Sequence, residues 1–169
     1  MKALIVSDSH GLSDELHMLK ERHSDSDLLI HCGDSELEPG DAAAADFLMV
    51  KGNCDFTEGY PNSITKEIGG FKFLITHGHL YNVKMTVDSL IYKAEEEDAG
   101  IICFGHSHLA GSEMIEGRLY INPGSIRLPK GIKEKTYAVL EAGSTTVKVQ
   151  FYNLEGNPLE FLTNTYQFE

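Results

Sequence analysis

Short apolar runs of strand length recur along the chain, and six of them end abruptly at Gly, Asp, Asn or His. They cover residues 2–6 before SDSH, 28–30 before HCGD, 47–50 before KGNCD, 71–75 before THGH, 101–104 before GHSH and 119–121 before NPGS. Between the first two runs, Leu12, Leu16 and Leu19 recur at helical spacing with Asp14, Glu15 and Glu21 on other positions, which predicts an amphipathic helix. A second helix is predicted over residues 83–99, with Val87, Leu90, Ile91 and Ala94 facing inward. Its acidic run at 95–98 is a solvated end that opposes the helix dipole. The four alanines within residues 41–46 predict one helical turn.

Beyond residue 110 the pattern changes to Gly-bounded strand segments at 111–117, 135–142 and 145–152, with turns at Glu116-Gly117 and Gly143-Ser144. A run of βα units followed by hairpins predicts an α/β fold. No repeat, linker or low-complexity segment interrupts it, so residues 1–169 read as a single domain able to bury its own core.

Composition narrows the function. No apolar run approaches the roughly 20 residues of a membrane span, which excludes an integral helical membrane protein. The opening run, Ala3 to Val6, is shorter than the roughly 7 to 15 residues of a signal-peptide core, so the expected compartment is the cytoplasm. Cys32, Cys54 and Cys103 lack C-x-x-C spacing and predict reduced thiols, not a disulfide framework or a thiolate zinc site. With 14 Lys+Arg against 26 Asp+Glu, the formal charge of −12 repels polyanions and disfavours extended nucleic acid.

The loops beyond the strands carry the chemistry, because ligand sites in open α/β sheets lie past the carboxyl ends of strands. Asp8 and His10, like His106 and His108, stand at i, i+2. If the extended conformation persists past the strand, both members of a pair project to one side. Asp34 has two carboxylate oxygens with which to bridge cations, Asn53 offers a neutral carbonyl oxygen, and His77 adds an imidazole. This mixed nitrogen and oxygen set suits Mn²⁺, Fe, Ni²⁺, Co²⁺ or Zn²⁺. Two such ions, Asp8, Asp34 and a bridging hydroxide sum to about +1, a local charge that attracts a phosphate ester.

The ordered motifs DSH, GDS, GNCD, THGH and GHSH, followed by NPGSIRLPKG, closely resemble those of the calcineurin-like metallophosphoesterase superfamily. The most similar branch is the small single-domain bacterial and archaeal phosphodiesterases. The resemblance implies a four-layer α/β/β/α sandwich of two mixed sheets flanked by helices, with a two-metal centre at one edge and manganese as the expected ion. It implies one ion held by Asp8, His10, Asp34 and His108. The other is held by Asp34, Asn53, His77 and His106, with Asp34 bridging. It further implies attack on phosphorus by a hydroxide between the ions, with Asn53 and the ions stabilising the phosphoryl charge.

The chain departs from the superfamily's commoner GNH motif, in which the His protonates the leaving group, by placing Cys54 there; the small-phosphodiesterase branch shares this Cys. A thiol is a poor substitute, and general acid catalysis contributes roughly 10² to 10⁴-fold, so poor leaving groups should react slowly. The expected activity is therefore a metal-dependent phosphodiesterase acting on a small phosphate ester. The alternatives are a phosphomonoesterase or nucleotide phosphatase, and a non-catalytic protein-interaction scaffold of the same fold, as in the eukaryotic retromer subunit.

Other polar residues carry two readings each. His79 is either a donor behind the metals or a loop hydrogen bond, Asp55 caps a helix or turn, and Arg127 contacts substrate or pairs at the surface. His17, His23 and His31 read as ordinary surface or core residues. Phe151, Tyr152, Phe161 and Tyr166 form either a homodimer surface or core.

Overall fold

A computed structural model describes residues 1–168. Its strands are β1 (Lys2–Val6), β2 (Leu28–His31), β3 (Phe47–Met49), β4 (Ser63–Ile68), β5 (Phe71–Thr76), β6 (Ile101–Cys103), β7 (Gly111–Ile115), β8 (Arg118–Asn122), β9 (Thr136–Ala142), β10 (Thr146–Asn153) and β11 (Asn164–Gln167). They form two mixed sheets, of order β11-β10-β9-β1-β2-β3 and β4-β5-β6-β8-β7. The helices are α1 (Ser13–Arg22) and α2 (Asp88–Glu96), with a 3₁₀ turn at His79–Tyr81.

The central strands β1, β6 and β8 are apolar on both faces because both faces are covered. In β1, Ala3 and Ile5 point into the layer between the sheets, while Leu4 and Val6 pack with Leu16 and Leu19 of α1. In the second sheet, Phe73, Ile75, Ile101 and Leu119 fill the same central layer, while Leu74, Ile102 and Tyr120 pack with Leu90 and Ala94 of α2. The result is the expected α/β/β/α sandwich. The parallel trios β1-β2-β3 and β5-β6-β8 lie side by side in their sheets and end in the motif loops, which gathers those loops at one edge.

The structure departs from the sequence pattern in specific places. Strands β4 and β11 have no counterpart among the apolar runs, because both are edge strands with exposed polar residues such as Thr65, Lys66 and Glu67. Helix α2 starts at Asp88, not at residue 83. Asn82 takes a left-handed backbone (φ 54°), and the N–H groups of Met85 and Thr86 fold back onto its carbonyl. The alanine-rich stretch makes the expected turn, with Ala44 and Ala45 donating to the Asp41 carbonyl. Phe151 is fully buried and Tyr152 stacks on Tyr137, whereas Phe161 is exposed. Among the described residues, no helix is long and apolar enough to cross a membrane.

Candidate metal centre

The ligand pairs do not continue in extended conformation, as the i, i+2 argument supposed. Asp8, His10, Asp34, His106 and His108 all have positive φ, between 42° and 67°. Asp and His tolerate this left-handed region better than most residues, and each such position is strained by about 1 to 3 kcal/mol unless neighbouring structure holds it. Here the loops hold one another. Asp8 N–H donates to Gly33 O at 3.0 Å, His10 N–H to Asp34 O at 3.0 Å and Gly11 N–H to Ser35 O at 2.8 Å. Two glycines permit the close approach: a Cβ on Gly52 would collide with Asp34 Oδ1, and one on Gly105 with Ser7 Oγ and Asp8 Oδ2.

Three imidazoles are fixed in one tautomer. The Nδ1 atoms of His10, His77 and His108 lie 2.6, 2.7 and 2.6 Å from Glu36 Oε1, Cys32 O and Leu128 O respectively. Those oxygens only accept, so each Nδ1–H donates and each Nε2 faces the centre, where it offers a lone pair once deprotonated. The Nε2 atoms turn to the carboxylates. Asp8 Oδ1 lies 3.0 Å from His108 Nε2 and 3.9 Å from the Nε2 atoms of His10 and His77. His77 Nε2 also lies 3.3 Å from Asp34 Oδ2 and 3.1 Å from Asn53 Oδ1.

Three groups of donor atoms result, Asp8/His10/His108, Asp34/His77/His106 and His10/Glu36/Cys54, the atoms of each lying within 4.8 Å of one another; in the third, His10 Nδ1 is taken up by Glu36, which leaves the first two as the candidate ion sites. Asp8 Oδ1 and His10 Nε2 are buried with no hydrogen-bond partner. A buried carboxylate oxygen facing imidazole nitrogens is unstable by itself and is satisfied by a divalent cation, so the residues fit a metal site.

Protonation is coupled across the centre. Burial alone would raise the pKa of Asp8, but His108 and His77 hold the carboxyl below its ordinary range. In return Asp8 raises the pKa of His108 and, against the pull of burial, Asp34 and Asp8 raise that of His77, so a cation binding here displaces protons from those two rings. Burial acts on Asp34 as it does on Asp8, and His77 together with the Cys54 N–H, 2.7 Å from Oδ1, holds it well below. Burial and the charges of His77 and Lys84 bring His106 down to about 4, which keeps it neutral at neutral pH. Cys54 moves the opposite way. Burial and the Asp34 charge push its thiol up to about 11, so it stays protonated and is neither a nucleophile nor an effective acid.

All seven sequence-predicted residues, Asp8, His10, Asp34, Asn53, His77, His106 and His108, therefore meet at one edge of the sandwich. Several supporting residues were not legible in the pattern. The buried Asp55 carboxylate accepts from the N–H groups of Asp34 (2.8 Å), Glu36 (2.7 Å) and Gly52 (2.7 Å), which ties two motif loops together. His31 is fully buried: Gly33 N–H donates to its Nδ1, so its Nε2–H donates to Ser9 Oγ at 2.8 Å. Ser125 of the NPGS turn donates to the Asp8 carbonyl at 2.8 Å, and Arg127 donates to the His10 carbonyl. His79 stands beside the second set, its ring centroid 5.3 Å from that of His77 and its Nδ1 buried without a partner. His17 is exposed, and His23 is buried against the Tyr137 hydroxyl at 2.9 Å.

Two facing sheets, helices on the outside and a histidine-aspartate centre at the strand ends define a metal-binding phosphoesterase class of α/β protein. The calcineurin-like phosphoesterase superfamily domain matches residues 1–145, and the chain belongs to that superfamily. It is 48% identical over 165 residues to the probable metallophosphoesterase YsnB of Bacillus subtilis, covering 97% of this chain and 98% of the relative. A conserved predicted phosphoesterase from Streptococcus pneumoniae TIGR4 superposes with a TM-score of 0.94 at 35% identity, over 98% of this chain and 97% of the other. Vps29 from Entamoeba histolytica, in a structure complexed with Zn²⁺, shares the fold with a TM-score of 0.78 at 19% identity over the full length of both chains.

Proposed function

We propose that the protein is a phosphodiesterase that works with two divalent ions, manganese foremost. In this reading one ion is held by Asp8, His10, Asp34 and His108, the other by Asp34, Asn53, His77 and His106. The observation that carries it is the pair of buried, unpartnered ligand atoms, Asp8 Oδ1 and His10 Nε2, next to a second donor set built on Asp34. When bound, such ions supply a water-derived nucleophile at neutral pH and neutralise charge on the phosphoryl oxygens.

The chain's own groups then account for substrate preference. Asn53, exposed at the mouth of the second set, is placed to hydrogen-bond a phosphoryl oxygen. Arg127 donates through Nη1 to the His10 carbonyl, which stands a guanidinium charge beside the first donor set. Water adds to phosphorus, the ester P–O bond breaks, and the leaving alcohol takes its proton without help from Cys54. Esters with good leaving groups are favoured accordingly.

The test is to strip the metal, reload with Mn²⁺, count bound ions and compare bis(p-nitrophenyl) phosphate with p-nitrophenyl phosphate. Two ions and faster diester hydrolysis support the reading. Much faster monoester hydrolysis overturns the diester preference, and bound metal with no turnover of either ester overturns the enzyme reading in favour of a scaffold.

A further inference from the structure

Helix α2 covers only part of the outer face of its sheet, and beside the loop of His106 and His108 a cleft of about 310 Å³ remains. Its apolar walls are Val83 and Val87 from the segment before α2, Phe104 and Leu109 flanking the histidines, and Ile115 and Tyr120 of β7 and β8. Ser107, between the two histidines, also lines it and accepts a hydrogen bond from Asn122 Nδ2 at 2.9 Å. The cleft wall and the histidine loop are thus one piece of structure.

Gly111 keeps the cleft open. It lies in β7 outside the left-handed region, and an added Cβ would meet nothing within 4 Å, so neither backbone nor packing calls for glycine. A strand glycine of this kind marks the close approach of another molecule. Glu113 is the one charged residue of the lining, and it turns away a second anionic group. The apolar character continues around the centre. Leu109, next to His108 in the chain, and Leu128, whose carbonyl accepts from His108 Nδ1, are both exposed.

We infer that this cleft binds a neutral aromatic arm of a phosphodiester whose phosphate lies on the metal centre. The inference rests on the diesterase reading above. Phe104 and Tyr120, both buried in the cluster under α2, form the apolar floor beneath such an arm, and the exposed Leu109 forms a wall beside it.

The experiment uses the Mn²⁺-loaded protein and two monoanionic, single-armed inhibitors, ethyl methylphosphonate and 1-naphthyl methylphosphonate, against hydrolysis of bis(p-nitrophenyl) phosphate. The naphthyl compound should bind about 10- to 100-fold more tightly, in line with the discrimination apolar pockets provide. Gly111→Leu, which adds bulk to the lining at a position where a Cβ meets nothing within 4 Å, should bring the ratio of inhibition constants close to one. Equal constants in the parent, or a naphthyl advantage that survives Gly111→Leu, overturn the inference. Methyl-resolved NMR with 1-naphthyl methylphosphonate reads the cleft without turnover. Shifts centred on Val83, Val87, Leu109 and Ile115 support the subsite even if no ester is hydrolysed, a result that would sink the diesterase reading alone. Shifts centred elsewhere sink the subsite.

Discussion

His10 binds Glu36 through Nδ1, 2.6 Å from Oε1, and leaves its Nε2 buried without a hydrogen-bond partner. The carboxylate fixes the tautomer and makes the free nitrogen more basic, which is how residues behind metal ligands tune them. Glu36→Ala should therefore weaken one of two Mn²⁺ binding steps by roughly 10- to 100-fold and leave the other nearly unchanged. Glu36→Gln keeps an accepting oxygen and should recover most of that loss. Titration calorimetry reads both steps, and unchanged affinity in Glu36→Ala would remove Glu36 from this role.

Asp55 is the corresponding anchor for the backbone. Its carboxylate takes three N–H groups from two loops, all at 2.8 Å or less. Asp55→Asn sets an amide N–H₂ against one of those donors, so the metal-free protein should lose about 1 to 3 kcal/mol or more. Urea denaturation measures this directly. A midpoint equal to the parent's would show that the loops hold their left-handed turns unaided.

The protonated thiol of Cys54 should limit reactions in which the departing alcohol needs a proton. Cys54→His is expected to raise hydrolysis of alkyl esters, within the roughly 10² to 10⁴-fold that general acids contribute, with a much smaller effect on p-nitrophenyl esters. The leaving-group dependence of kcat/KM is the readout. An unaltered slope in a folded, metal-loaded variant contradicts this account of position 54.

His23, remote from the centre, gives a prediction about pH. Burial first, then the charges of Lys2 and Arg22, lower its pKa in the folded protein. Below about pH 6.5 the unfolded chain therefore binds the proton more readily than the folded one, and stability declines as pH falls through that value. It is fully present above it. Burial acts in the same sense on His31, which titrates at about 4. In chelator, His23→Asn should flatten part of the decline in unfolding free energy between neutral and mildly acid pH, and an equally steep decline would exclude His23 as a source.

The fold and the gathering of the candidate ligands were legible for one reason: strands buried on both faces leave unbroken apolar runs, and the loops that carry the histidines and aspartates begin where the runs stop. Asp8, Asp34, His77 and the His106/His108 pair all stand at such ends. The edge strands β4 and β11 escaped because exposed polar residues break their pattern. Asp55 caps its own turn by accepting from Gly52 N–H, in line with the capping reading, but its hold on Asp34 and Glu36, like the roles of Glu36 and His31, escaped for a different reason. Each acts on a residue brought close only by folding, as Asp55 does on Asp34 from 21 positions away. The i, i+2 spacing drew attention to residues that the fold gathers at one edge, but on a mistaken premise: the turns are left-handed, and they send His108 to the Asp8 and His10 group and His106 to the Asp34 and His77 group.

The central claim is that Asp34 is shared by two ions, and electron paramagnetic resonance of the Mn²⁺-loaded protein tests it most directly. The account predicts the signal of an exchange-coupled manganese pair, which Asp34→Asn converts to that of isolated ions. A fully loaded parent protein showing only uncoupled Mn²⁺ would contradict it.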